Sequence, residues 1–222
     1  VSTAARDGYD ARHQHDVEAT ARGPVPTIGL TLLGPTLVAF GTPELQERFI
    51  PPIISGTEHW CQGYSEPDAG SDLANVSTRA HLSGDRWLVT GQKTWTSLAQ
   101  YAQWAFVLCR TDSTSERHAG LSYLLVPMDQ QGVEVRQIVQ VTGGSEFNEV
   151  FFDDAVTDAG MVVGGAGNGW AVAMGTLGFE RGASTLGQQT GYRRELDSLL
   201  ELARANGSIA EPALPQDRTR AS

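Results

Sequence analysis

Three stretches of this sequence carry side chains suited to chemistry rather than to packing. The first, CQGYSEPDAGSD (residues 61–72), runs from a strand-like lead into a turn crowded with Pro, Gly, Ser and acids. Packing alone rarely calls for so many small and polar groups in one place. The second, QKTWTS (residues 92–97), sets Trp95, Thr96 and Ser97 in a row. Lys93, the only lysine of the chain, reads as a solvated or ion-paired residue rather than a catalytic amine. The third, LGFERGA (residues 177–183), places Glu180 next to Arg181. At helical spacing Ala173, Thr176, Leu177, Glu180, Ala183, Ser184 and Gly187 share one face, and most are small. Small residues around one acid leave room for a ligand. His13 and His15, in HQH, have no carboxylate or cysteine cluster nearby and read as solvated, so no metal site is expected.

The elements that must position these residues follow from hydrophobic period. Residues 1–22 are polar, and Pro24 and Pro26 punctuate the chain. An apolar segment from Ile28 to Phe40 is interrupted by Gly34-Pro35, which predicts a break between two short helices. In GTPELQERFIPPI, Thr42 suits an N-cap, Pro43 the first helical position, and Pro51-Pro52 the stop. From His59 the period changes to two, in RWLVTG, WAFVLCR, LSYLLVPM, VEVRQIVQV and NEVFFDD. Ser83-Gly84-Asp85 marks a hairpin. Helical period returns at Trp170, with Trp170, Met174 and Leu177 as one apolar row and Leu196, Leu199, Leu200 and Ala203 as another. Gly207 suits a helix stop. The expected fold class is α+β, with a helical segment (residues 1–58), a central antiparallel β-barrel or sandwich (59–163) and the start of a helical domain (164–222).

Composition narrows the function. The chain has 222 residues, 40% hydrophobic and 19% charged, with a formal net charge of -10. That balance fits a globular fold and disfavours nucleic acid, whose binding rests on a basic footprint. No apolar run approaches the roughly 20 residues of a membrane span, and no signal peptide is recognisable. The two cysteines, Cys61 and Cys109, read as buried reduced thiols of a cytoplasmic protein, with a disulfide the lesser alternative.

YSEPDAGSD, VTGQKTWTS, NEVFFDDAV, GGAGNGWAVAM and LGFERGA occur in the order and at about the spacing seen in acyl-CoA dehydrogenases, and the chain resembles that family over roughly residues 24–205. The resemblance implies bound FAD and oxidation of an acyl-CoA thioester to its 2,3-enoyl product. It implies that Ser65 bonds the flavin ring and that the backbone at Gln62 and Tyr64 lies along it. Gly70 and Ser71 resemble the pair that meets phosphate and substrate. Trp95 and Thr96 match the segment whose indole covers the flavin edge, and Ser97 supplies the hydroxyl near flavin N5. Glu180 falls where isovaleryl-CoA-type members carry the base, and Arg181 where they contact CoA. Asp68 stands where relatives usually have Gly or Asn, and Gly178 where they have Asp.

The family's C-terminal helical bundle is not evident, so the expectation is a homo- or hetero-oligomer, with an electron-transfer flavoprotein or similar acceptor. The alternatives are an oxidase or monooxygenase of the same fold, and a non-catalytic subunit of a larger complex.

Overall fold

A computed structural model describes residues 27–210, and of residues 183–188 and 210 the backbone alone. Expectations for residues 1–26, including His13 and His15, for the surroundings of Ala183, Ser184 and Gly187, and for the tail beyond Ala210 lie outside the described residues. Two compact units meet in sequence between Phe179 and Glu180.

The first unit begins with a π-type turn, Gly29–Leu33, that runs directly into helix α1 (Gly34–Phe40). The predicted break at Gly34-Pro35 does not occur. Gly34 is helical, and its N–H reaches back to Gly29 O. Proline has no N–H to give, and the widened turn ahead of it lets the helix continue without that donor. Helix α2 (Pro43–Ser55) starts as predicted, with Leu45 N donating to Thr42 Oγ1. It does not stop at Pro51-Pro52, which lie inside it, but at Gly56 with φ 70°. Leu45, Phe49 and Ile53 recur at four-residue spacing and are all buried. Each such side chain contributes roughly 1.5–3 kcal/mol by leaving water, enough to offset the roughly 3 kcal/mol cost of an interior proline.

Eight strands follow: β1 (Trp60–Gly63), β2 (Arg79–Ser83), β3 (Arg86–Ser97), β4 (Trp104–Arg110), β5 (Leu121–Pro127), β6 (Val133–Ile138), β7 (Phe147–Asp158) and β8 (Val162–Val163). They form one sheet in the order β6-β7-β3-β2-β4-β5-β8, with β1 beside β4. The predicted hairpin joins β2 to β3, with Ser83 opposite Arg86 and Gly84 at φ 63°. Most pairings are antiparallel, but β1 runs parallel to β4, from Trp60↔Trp104 to Gly63↔Val107, and β2 meets β4 in parallel at Arg79↔Arg110. Among the described residues no pairing joins β6 to β8, so the sheet is open. It nevertheless folds over itself: Thr157 on β7 donates to Leu125 O on β5 at 2.6 Å.

Side chains of β4 explain why its sequence reads as one apolar run. Ala105, Val107 and Cys109 enter a cluster with Val89, Val150 and Phe152, between the two halves of the folded sheet. Phe106 and Leu108 face the other way, into a cluster with Leu37, Phe49, Tyr123 and Val172 from helices and sheet. A strand buried on both faces loses its period-two signature. Cys61 and Cys109 are buried free thiols, and burial pushes both up to about 12.

Helix α3 (Gly169–Ala205) begins against β5. A Cβ on Gly169 would lie 2.5 Å from the Ser122 backbone, so only glycine permits that approach. Up to Phe179 the buried face of α3 is Val172, Ala173 and Thr176, whereas Met174 is exposed and Trp170 and Leu177 lie at the flank. The apolar row predicted from Trp170 is therefore offset from the face that packs. Thr176 Oγ1 lies within hydrogen-bond distance of Thr36 Oγ1 at 2.8 Å, Val172 O at 3.0 Å and Tyr123 OH at 3.4 Å. The small face predicted as a ligand pocket is thus filled by core at Ala173 and Thr176. In the second unit Tyr192, Leu199 and Leu202 are exposed, and Gly207, at φ 79°, follows the helix end.

Candidate functional site

The turn after β1 is closed by two backbone hydrogen bonds, Glu66 N to Ala69 O at 2.9 Å and Ala69 N to Glu66 O at 3.1 Å. Pro67 and Asp68 form its exposed tip. Asp68 does not adopt a positive φ, so a turn that takes Gly or Asn elsewhere accommodates Asp without strain. Beyond the tip Gly70 and Ser71 are exposed, and a Cβ placed on Gly70 would meet nothing within 4 Å. The fold itself does not demand glycine there.

Facing that turn, β3 carries a bulge. Lys93 pairs with Val150 and Thr96 with Asn148, so three steps on β3 oppose two on β7. The extra residue puts Trp95 at φ 57° with 60% of its surface exposed. A left-handed tryptophan costs roughly 1–3 kcal/mol, and such residues persist where the surroundings hold them in place. The bulge turns the indole outward, edge-on to Phe147 at 6.1 Å, while Thr96 stays buried and Ser97 is half-buried.

Backbone groups at the bulge also take partners outside the pairing of β3 with β7. Thr94 N–H donates to Ser65 O at 2.8 Å, joining the turn to the bulge. Thr96 O accepts from Asn148 Nδ2 at 3.0 Å. Lys93 completes the joint from below, fully buried. Its ammonium donates to Tyr64 O at 3.0 Å, Leu108 O at 2.8 Å and Glu66 Oε1 at 2.8 Å, which uses all three of its donors. Glu66 also accepts from Ser77 N at 2.6 Å, Ser77 Oγ at 2.8 Å and Thr78 N at 2.9 Å. Burial works against ionisation of Glu66, but the Lys93 charge and these donors outweigh it and hold the carboxyl at about 2. Burial lowers Lys93, opposed by the attraction of Glu66. The lysine is ion-paired, as one of the two readings of the sequence has it, and its pair lies in the core.

A second anchor sits at the far end of the turn. The Arg110 guanidinium donates to the carbonyls of Ala74, Val76, Ser115, Arg117 and Ala119 at 3.0–3.4 Å. It thereby fixes the segment following Ser71, and Arg117 reaches Asp72 at 3.2 Å.

Gln62, Tyr64, Ser65, Gly70, Ser71, Trp95, Thr96 and Ser97 all fall on β1, its turn or the bulge of β3. Tyr64 turns its ring into the core, edge-on to Phe106 and Tyr123, leaving its backbone as the part that can face a ligand. Among the described residues the hydroxyls of Ser65, Ser71 and Ser97 and the amide of Gln62 make no hydrogen bond to protein. An exposed indole, uncommitted polar groups and an open glycine suit a flat heteroaromatic ring with polar edges and an anionic tail, and so fit the flavin dinucleotide that the sequence resemblance implies. Glu180 and Arg181 open the second unit, exposed on α3. Glu66, Arg110 and Asn148 were not singled out from sequence. Lys93 did carry a signal, since it shares the inward parity of Trp87 and Val89 on β3.

Residues 61–155 match the family model "Acyl-CoA dehydrogenase, middle domain". The chain is 59% identical over 221 residues to acyl-CoA dehydrogenase IpdE1 of Mycobacterium tuberculosis, covering all of this chain and 57% of that protein. Among solved structures it is similar to the Tcur3481-Tcur3483 steroid ACAD G363A variant, with TM-score 0.80 and 32% identity, over 96% of this chain and 57% of that one. It is also similar to the ChsE4-ChsE5 complex from Mycobacterium tuberculosis, with TM-score 0.65 and 35% identity, over 75% and 43% of the two chains. The chain therefore spans between 43% and 57% of the length of these relatives.

Proposed function

The chain belongs to the acyl-CoA dehydrogenase family, and from that premise we propose that it takes part in FAD-dependent α,β-desaturation of an acyl-CoA thioester whose acyl group derives from a steroid. The substrate class is supported by the likeness to a protein described as a steroid ACAD. The observation that carries the cofactor assignment is the joint between Ser65 and the Trp95 bulge, which offers an exposed indole and uncommitted hydroxyls on one rigid support.

In this reading Ser65, Ser97 and the backbone at Gln62 and Tyr64 hold the ring system, and the Trp95 indole covers its edge. Thr96 contributes from the same segment. Gly70 and Ser71 meet the pyrophosphate and the substrate, where a bare backbone and a hydroxyl can donate to anionic oxygen. When bound, the flavin supplies the acceptor for the hydride that leaves the substrate β-carbon. Glu180 takes the α-proton onto its carboxylate, and Arg181 pairs with an anionic group of CoA. The protein would work as a homo- or hetero-oligomer in the cytoplasm and pass electrons to an electron-transfer flavoprotein or similar acceptor.

The test is an absorbance titration of the purified protein with FAD, followed by anaerobic addition of acyl-CoAs ranging from straight-chain to steroid-derived. Binding with loss of the flavin absorbance, strongest for the steroid-derived thioesters, is the expected result. Failure to bind FAD would sink the cofactor assignment. Bleaching by straight-chain thioesters alone would sink the substrate class.

A further inference from the structure

Asn148 is paired with Thr96 across β3 and β7 and is fully buried. Its amide nitrogen donates to Thr96 O at 3.0 Å, to Gln100 Oε1 at 2.5 Å and to Glu146 O at 3.4 Å. Thr96 lies between Trp95 and Ser97, so one side chain on β7 grips the middle of the segment that presents both. The neighbouring bonds add to that grip: Leu98 N donates to Glu146 O at 2.8 Å, and Gln100 Nε2 to Ser145 O at 3.0 Å.

This grip is held at a cost. Thr96 Oγ1 and Asn148 Oδ1 are both buried without a hydrogen-bond partner. A buried polar atom without a partner destabilises a fold, whereas an apolar pair of similar shape can be neutral or better. An apolar residue in place of Asn148 removes one of these two unpaired atoms, which offsets the hydrogen bonds lost with the amide. What asparagine adds is a side-chain donor to Thr96 O, the carbonyl at the middle of the segment.

We propose that Asn148 is a positioning residue, which fixes the Trp95–Ser97 segment through Thr96 O and so sets the geometry with which that segment receives a flavin. The proposal rests on the cofactor reading above. It predicts a separation that a merely structural role would not give, with cofactor binding falling while stability holds.

The experiment compares the parent with Asn148→Leu and with Gln100→Met, which removes the neighbour that orients the amide at a half-buried site. FAD affinity, the visible spectrum of the bound flavin and the melting temperature of the FAD-free protein are measured for each. Asn148→Leu is expected to weaken FAD binding about tenfold, the size of effect one backbone hydrogen bond supports, to alter the spectrum of the flavin that remains bound, and to melt no lower than the parent. Gln100→Met is expected to shift binding in the same direction by a smaller factor, and it carries the test if Asn148→Leu does not fold. Unchanged affinity and spectrum in the variants that fold would overturn the proposal. So would a loss of affinity matched by a fall in FAD-free melting temperature with an unaltered spectrum, since that marks a structural residue. A parent that binds no FAD would instead overturn the cofactor reading itself.

Discussion

Thr94 N–H donates to the carbonyl oxygen of Ser65 at 2.8 Å, so the turn after β1 and the bulge of β3 move as one body. Residues separated by nearly thirty positions in sequence thereby share a single rigid support, and displacing either segment displaces both.

Replacing Trp95 by glycine should separate stability from binding. Glycine adopts φ 57° without steric penalty, relieving roughly 1–2 kcal/mol, while the lost Phe147 contact and a freer unfolded chain offset part of that gain. Urea unfolding is expected to show stability within ~1 kcal/mol of the parent, with FAD affinity reduced at least tenfold. A variant that unfolds much more readily, or binds FAD as the parent does, contradicts the role given to the indole.

The Lys93–Glu66 pair should behave as a buried ion pair. Lys93→Met leaves the Glu66 carboxylate without its counter-charge, and loss of one partner in such a pair typically costs about 3–5 kcal/mol. Glu66→Gln combined with Lys93→Met removes both charges and is expected to recover a large part of that loss. Equal denaturation midpoints for the single and double variants would show that the two charges do not depend on each other.

Acid should reach the same pair. With Glu66 held at about 2 instead of the ordinary 4.5, the unfolded chain binds a proton there before the folded one does. The resulting stability, on the order of 3 kcal/mol, is fully present above pH 4.5 and is lost as pH falls from there toward 2. The double variant lacks this contribution, so its melting temperature should fall less steeply over that interval than the parent's. Parallel curves would remove Glu66 from the account of acid sensitivity.

Glu180→Gln should leave FAD binding intact and abolish substrate-driven bleaching, since it deletes the base while keeping its size. Removing a general base typically slows reaction 10²–10⁴-fold, readily resolved in an anaerobic single turnover. Arg181→Ala should chiefly raise the substrate concentration needed. Bleaching by Glu180→Gln at the parent rate would place the base on another residue.

Much of the fold was legible because period survives in strands with one face in solvent. The shift at His59 and the hairpin at Gly84 are of this kind, as is the cap at Thr42. Pro51-Pro52 misled because local propensity was outweighed by Phe49 and Ile53, whose burial depends on partners such as Trp60 and Trp104. The parallel contact of β1 with β4 joins residues about forty positions apart, and nothing local specifies it. At the site, the motifs named the turn and the bulge residues. The supports were hidden: Asn148 looks like any polar residue on a strand until its register partner is known. Lys93 looked ambiguous because charge suggests solvent while its parity points inward.

That lysine has a consequence for the protein's covalent chemistry. Thioesters acylate exposed amines without enzymatic help, and under the proposed function the protein meets such reagents throughout its life. The single lysine among these 222 residues is sealed in the core with every donor occupied. While these residues remain folded they offer no ε-amine to the thioester, so acylation of Lys93 counts the molecules that have come unfolded.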